Sequence, residues 1–154
     1  DVGEMLVRGP NVFKGYWEDP EATQRVIDAD GWLHTGDLAV VDDDGFLYIV
    51  DRIKDLIIVS GFNVFPAEVE QVLLEHPAIE AAAVVGVPHP HTGEAVRAYV
   101  VVREGLSIEE DDVVGFVAGR LARYKCPNKV NFVEELPTGL AGKVLRRALS
   151  DRND

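Results

Sequence analysis

Short apolar runs separated by turn signals fill the first third of the chain. MLVRG and LAVVD read as strands, and Asp42-Asp43-Asp44-Gly45 followed by FLYIV makes LAVV–DDDG–FLYIV a hairpin. Asp19 ahead of Pro20 marks the start of a short helix over PEATQRVI. After Arg52 the spacing changes. DLIIV (55–59) reads as a strand, Ser60-Gly61 as a turn, and Pro66 opens a helix, PAEVEQVLLEH. Its apolar positions Val69, Val72 and Leu73 share one face, and Pro77 stops it. Two β-rich stretches, Ala81–Val87 and Ala95–Val102, flank the turn-forming PHPHTGE. Ser107 with Glu110 forms a capping-box pair and predicts a helix to about Arg123. Val130–Val133 reads as a strand, PTGLAG (137–142) as a Gly-rich loop, and KVLRRALSD as a basic amphipathic tail helix. Helices and strands mixed without a βαβ rhythm predict an α+β fold. The shift in pattern puts a domain boundary at Asp51–Lys54.

Composition narrows the class. The 154 residues are 47% hydrophobic and 27% charged, the balance of a globular protein rather than a disordered one. No apolar run approaches the roughly 20 residues of a membrane helix, and the first residues carry no secretory signal pattern. The chain has no initiator Met and reads as a piece cut from something longer. Its net charge of −12 argues against nucleic-acid binding, since a phosphate backbone would be repelled. The charge is uneven: residues 1–51 carry 3 basic against 12 acidic side chains, the remainder 12 against 15. Within 120–147 seven basic residues face only Glu134 and Glu135, which suits either a small polyanion such as a nucleotide or ordinary helix-end charge. The lone Cys126 excludes an intrachain disulfide, fits a reducing cytoplasm, and reads as a small buried apolar residue.

Three glycine-anchored clusters carry candidate chemistry. In GWLHTGD (31–37), Asp37 follows a Thr-Gly turn, where a carboxylate with both oxygens free suits two vicinal hydroxyls. In DRIKDLIIVSGFNVFPAEVE (51–70), the cations Arg52 and Lys54 stand at the boundary, and Gly61 allows a ligand to approach backbone closely. In LAGKVLRR (140–147), a flexible loop presents Lys143, whose ammonium could meet an anionic transition state. Each cluster alone is commoner as a plain turn, a strand connection or a surface lysine. His89 and His91 sit in the PHPHTGE turn with no nearby Cys or third ligand, which reads as a solvated turn, so no metal site is assigned to them.

Order and spacing together make these clusters far more specific. They resemble the adenylate-forming superfamily of acyl-CoA synthetases, luciferases and peptide-synthetase adenylation domains. GEMLVRGPNVFKGYW, GW..TGD, G[FY]L.I.DR..D.I, SG.N..P.E.E, VGVP....GE, L..YK.P and GK..RR follow in family order over nearly the whole chain. IVDRIKDLIIVSGFNVFPAEVE is most similar to bacterial long-chain fatty acyl-CoA ligases. One departure is Thr138 after Pro137, where the family often has a basic residue.

The resemblance implies a division of the chain: 1–51 as the end of a large, mostly β adenylation domain, 52–55 as a hinge, and 56–154 as a small mobile lid with a short central sheet flanked by helices. It implies Asp37 and Arg52 at the ribose of ATP, Lys54 at the hinge, and Ser60, Gly61 and Phe62 along the pantetheine tunnel of CoA. It gives Lys143 the bridge between acyl carboxylate and phosphate. The implied reaction joins a fatty acid to ATP as acyl-AMP with release of pyrophosphate, after which CoA displaces AMP. The phosphate-binding loop, the Mg2+-binding carboxylate and the acyl pocket are expected upstream, in the missing N-terminal domain, so the piece alone is expected to be inactive. A cytoplasmic enzyme with small-molecule substrates follows, and peripheral membrane contact through the parent stays open. Competing readings are an acyl-AMP ligase loading a carrier protein, a coumarate-type ligase, a luciferase-like oxidase, and a non-catalytic acidic α+β docking module.

Overall fold

The computed structural model describes residues 1–140 and 142–151; residue 141 of the Gly-rich loop and the last three residues of the tail lie outside the described residues. The chain divides into two compact units, one ending at Lys54 and the other starting at Asp55. The architecture is α+β.

The first unit is a three-stranded antiparallel sheet of β1 (Gly3–Val7), β2 (Leu33–Val41) and β3 (Leu47–Arg52), in the order β1-β2-β3. Asp42 closes the β2–β3 turn, its Oδ1 accepting the Asp44 and Phe46 N–H groups at 3.1 and 2.8 Å. Helix α1 (Pro20–Val26) starts where the sequence marks it, with the Asp19 carboxylate accepting the Ala22 N–H at 2.8 Å. Little of this unit is buried: Val41, Phe46, Leu47, Tyr48 and Ile49 are all exposed.

The second unit centres on two long antiparallel strands, β6 (Ile79–His89) and β7 (Gly93–Val102). Beside β7 lie the short hairpin β4 (Ile57–Val59) and β5 (Phe62–Val64), and β8 (Lys129–Phe132), which pairs parallel to it. The sequence suggested a strand running through a turn straight into a helix. FNV instead folds back on IIV, because Ser60 (φ 51°) and Gly61 (φ 83°) both take positive φ, the two-residue hairpin geometry. Helix α2 (Pro66–Leu74) follows with Val69 and Leu73 fully buried.

Side chains alternate across β6 and β7, so the sheet has two apolar faces. Val84, Val96, Ala98 and Val100 join Val69 and Leu73 of α2 and Val113 and Val117 of α3 (Glu110–Ala118) in the main core. Ala83, Val85, Val87, Ala95 and Tyr99 form a second cluster with Leu149 of the tail helix α4 (Arg146–Ser150). The capping box is not formed. Helix α3 is capped at Glu109 without a side-chain bond, and Glu110 instead accepts the Val130 N–H of β8 at 2.7 Å. Helix α3 ends at Ala118, with Gly119 as its C-cap, and residues 123–125 form a separate 3-10 turn. No described helix is long and apolar enough to cross a membrane.

The tail owes its place to a few groups. Leu149 is fully buried and its carbonyl accepts the Tyr99 hydroxyl at 3.0 Å. Truncating Leu149 to Ala should cost about 2–5 kcal/mol if the cavity stays open. A urea titration should show the midpoint falling; an unchanged midpoint would mean the tail is not part of the folded core.

Candidate functional site

In the first unit, Asp37 and Arg52 are directly opposed in the β2–β3 register. Arg52 Nε lies 3.1 Å from Asp37 Oδ1, an ion pair on a partly exposed surface. Asp37 was expected at a loop end with both oxygens free. It lies inside a strand with one oxygen engaged, because β2 continues through the Thr-Gly step to Val41. Thr35 steadies it: its hydroxyl donates to the Met5 carbonyl at 2.8 Å and accepts the Asp37 N–H at 3.1 Å. Glu4, not singled out in the sequence, holds the same segment from β1. Its carboxylate accepts the Gly36 N–H at 3.1 Å and meets His34 Nδ1 at 2.9 Å.

Lys54 is exposed in the 3-10 turn Ile53–Asp55, the last residue of the first unit.

In the second unit, Ser60, Gly61 and Phe62 are exposed at the tip of the β4–β5 hairpin. Phe62 stacks on Tyr124 with ring centroids 4.8 Å apart. A cavity of about 410 Å³ opens beside Ser60, lined also by His89, Thr92, Arg123, Tyr124 and Asn128. The PHPHTGE turn anchors the hairpin to β7. The Ser60 N–H donates to the Thr92 carbonyl at 2.8 Å, and the Ile58 N–H to Glu94 Oε2 at 2.7 Å. Gly86 makes room for this carboxylate: a Cβ there would lie 2.9 Å from Glu94 Oε1 and 3.1 Å from the buried Ile57 side chain. The spaced glycine and glutamate of VGVP....GE thus act as one packing device. His89 Nδ1 meets the Thr92 hydroxyl at 2.8 Å, and among the described residues no group of three His, Cys, Asp or Glu side chains could hold a metal ion.

Cys126 lines the same cavity and is half-buried rather than buried. Desolvation pushes its thiol up, against a smaller downward pull from the Arg123 guanidinium. A raised pKa leaves less thiolate at a given pH, so iodoacetamide should alkylate Cys126 more slowly than it alkylates glutathione at pH 8. The gap should narrow as pH rises; a faster reaction at pH 8 would contradict the desolvated setting.

Lys143 is exposed, and its segment is not the loose loop expected. Its carbonyl accepts the Gly139 N–H at 2.8 Å, the Leu145 N–H donates to the Pro137 carbonyl at 2.8 Å, and Thr138 bridges Val144. The lysine therefore stands on a closed turn packed by Val144 against the second cluster, whereas the 60–62 tip rises from strands of the main core.

The class follows from comparison: residues 68–143 match the AMP-binding enzyme C-terminal domain. Among its relatives, an octahydro-indenyl-propanoyl:CoA ligase of Rhodococcus jostii is 52% identical over 98% of this chain, which spans 29% of that protein. A long-chain-fatty-acid–CoA ligase of Salmonella typhimurium is 50% identical over 98% of this chain, which spans 27% of it. Among solved structures, ATP-bound MatB from Rhodopseudomonas palustris superposes with a TM-score of 0.94 at 44% identity, covering 98% of this chain and 30% of that one.

Proposed function

We propose that the parent protein is an ATP-dependent fatty acyl-CoA ligase that forms an acyl adenylate and then passes the acyl group to CoA. The observation that carries this reading is an exposed lysine, Lys143, held on a hydrogen-bonded turn in a chain that also offers a separate exposed Ser60-Gly61-Phe62 tip beside a cavity. Two half-reactions need two working surfaces, and these lie on different elements of the second unit.

In the first half-reaction, carboxylate attack on the α-phosphorus gathers negative charge on phosphate oxygens. The Lys143 ammonium stabilises that charge and orients the acyl carboxylate. Asp37 accepts hydrogen bonds from the ribose hydroxyls, and Arg52 orients the Asp37 carboxylate and reaches the ribose. Mg2+ would neutralise phosphate charge, with its ligands supplied by the upstream part of the parent. Lys54 is the hinge, standing where one compact unit gives way to the next. In the second half-reaction the pantetheine arm of CoA passes the Gly61 turn. The exposed apolar side chains of β3 and its turn, Phe46, Leu47, Tyr48 and Ile49, are surfaces for the preceding domain.

The test is ATP–pyrophosphate exchange and CoA-dependent AMP release by the intact parent with palmitate. Exchange without CoA-dependent release would favour a carrier-protein acceptor, and no exchange with any carboxylic acid would favour a docking module. A second reading, a ligase for ring-bearing acids, draws support from the Rhodococcus jostii relative, which is as similar as the fatty-acid ligase. Turnover of coumarate in preference to palmitate would select it.

A further inference from the structure

Three motifs in the sequence contain charged residues that the half-reactions leave unused: Asp55 in DRIKD, Glu70 in PAEVE and Arg146 in GKVLRR. The fold brings them together. Arg146 Nη2 lies 2.8 and 2.7 Å from the two Glu70 carboxylate oxygens, and Nη1 lies 3.5 Å from Asp55 Oδ2. Glu70 Oε1 also accepts the Val84 N–H of β6 at 2.8 Å. All three side chains are largely buried, with side-chain exposures of 25, 16 and 19% for Arg146, Glu70 and Asp55.

We propose that Arg146 is a positioning residue for adenylation, tying the Lys143 turn and the residue after the hinge to the same point of the second unit's core through Glu70 and Asp55. The proposal rests on the roles assigned above to Lys143 and Lys54. Arg146 follows Lys143 by three residues, a span of at most about 10 Å of chain. Fixing the guanidinium on Glu70 therefore limits where the lysine can stand. Glu70 is itself fixed, because it serves a backbone N–H of the central sheet. Asp55 opens the second unit directly after Lys54, so its contact with Arg146 makes Asp55 move with that unit. The swing is then confined to the backbone before it.

Only a guanidinium serves here. Two of its nitrogens point to different carboxylates, which one compact ammonium cannot imitate. Without the positive charge, Asp55 and Glu70 would face each other in a poorly solvated place and repel. Helix α4 would lose its anchor at the N-terminal end while Leu149 still held its other end.

Arg146→Met keeps the apolar stem and removes both contacts. In the intact parent, pyrophosphate exchange should fall about 10- to 100-fold, the effect of misplacing a reacting group by roughly 1 Å. Thioester formation from supplied acyl-adenylate should fall by far less. Arg146→Lys should not restore exchange. The decisive measurement is a double-mutant cycle: Arg146→Met added to Lys143→Ala should slow exchange little further, because the arginine acts through the lysine. Additive losses, or equal losses in both half-reactions, overturn the proposal. If Lys143→Ala alone leaves exchange intact, the functional reading itself fails. Independently of activity, amide exchange at Gly139 and Leu145, which close the lysine turn, should accelerate at least tenfold in Arg146→Met of this chain. Unchanged protection at both amides would overturn the proposal even if the variant were slow.

Discussion

Replacing Lys143 with Ala in the intact parent should suppress adenylation about a hundred- to thousandfold, equivalent to about 3–4 kcal/mol of transition-state stabilisation. The expectation follows from where charge develops. The attacking carboxylate and the phosphate are both anionic, and an ammonium between them interacts more strongly as the phosphorus becomes crowded with negative oxygens. Lys143 suits that task because its side chain is exposed while its backbone is pinned at the Gly139 and Val144 contacts. Losing the side chain should cost the fold little, since it is exposed. Thioester formation from supplied acyl-adenylate should persist within a few-fold, because the proposed function assigns it to the Ser60-Gly61-Phe62 tip instead. Rapid-quench measurement of each half-reaction separates the two. Equal loss in both would remove Lys143 from its assigned role, and normal adenylation would remove it entirely.

The elements that sequence spacing made visible are those whose cause is local. Asp19 and Pro20 start α1, Pro66 starts α2, and Asp42 to Gly45 turns β2 into β3, because a cap, a fixed φ or a side-chain hydrogen bond acts within four residues. What eluded it depends on partners far along the chain. Glu110 looked like half of a capping box, yet its carboxylate is taken by Val130 N–H, twenty residues away. FNV was hidden because a three-residue strand has no periodicity to read, although Ser-Gly flanked by IIV and FNV is a hairpin signal in hindsight. The site divides in the same way. The motif order drew attention to Asp37, Arg52, Lys54, Ser60 to Phe62 and Lys143. Residues that orient them, Glu4, Glu70, Glu94 and Arg146, act over separations of 30, 14, 36 and 76 residues, which no local pattern encodes. The paired glycine and glutamate of VGVP....GE were visible as a motif, but their joint role needed the distance from Gly86 to the Glu94 carboxylate.

Gly61→Leu should have the opposite profile to Lys143→Ala, abolishing most thioester formation while leaving adenylation within a few-fold. Gly61 has a φ of +83° and faces open space, with no heavy atom outside its two neighbours in sequence within 4 Å of where a Cβ would stand. A leucine's Cβ would thus meet no clash beyond its two neighbours in sequence, and the rest of the side chain would project into the space proposed for the pantetheine arm. Its left-handed backbone would add about 1–2 kcal/mol of local strain at the hairpin tip. The hairpin should survive, since Ser60 N–H and Ile58 N–H remain bonded to Thr92 and Glu94. Displacing the reacting thiol by about 1 Å costs roughly a hundredfold, and a blocked passage costs more. Gly61→Ala is the control for strain: it carries the same backbone cost with little bulk, so it should slow thioester formation much less than leucine does. Saturation with CoA should not rescue the leucine variant, because the arm is obstructed at the tip rather than bound weakly at the nucleotide. If Ala and Leu prove equally slow, backbone geometry rather than passage accounts for Gly61. If Leu proves as fast as wild type in the second half-reaction, the pantetheine arm does not pass this turn.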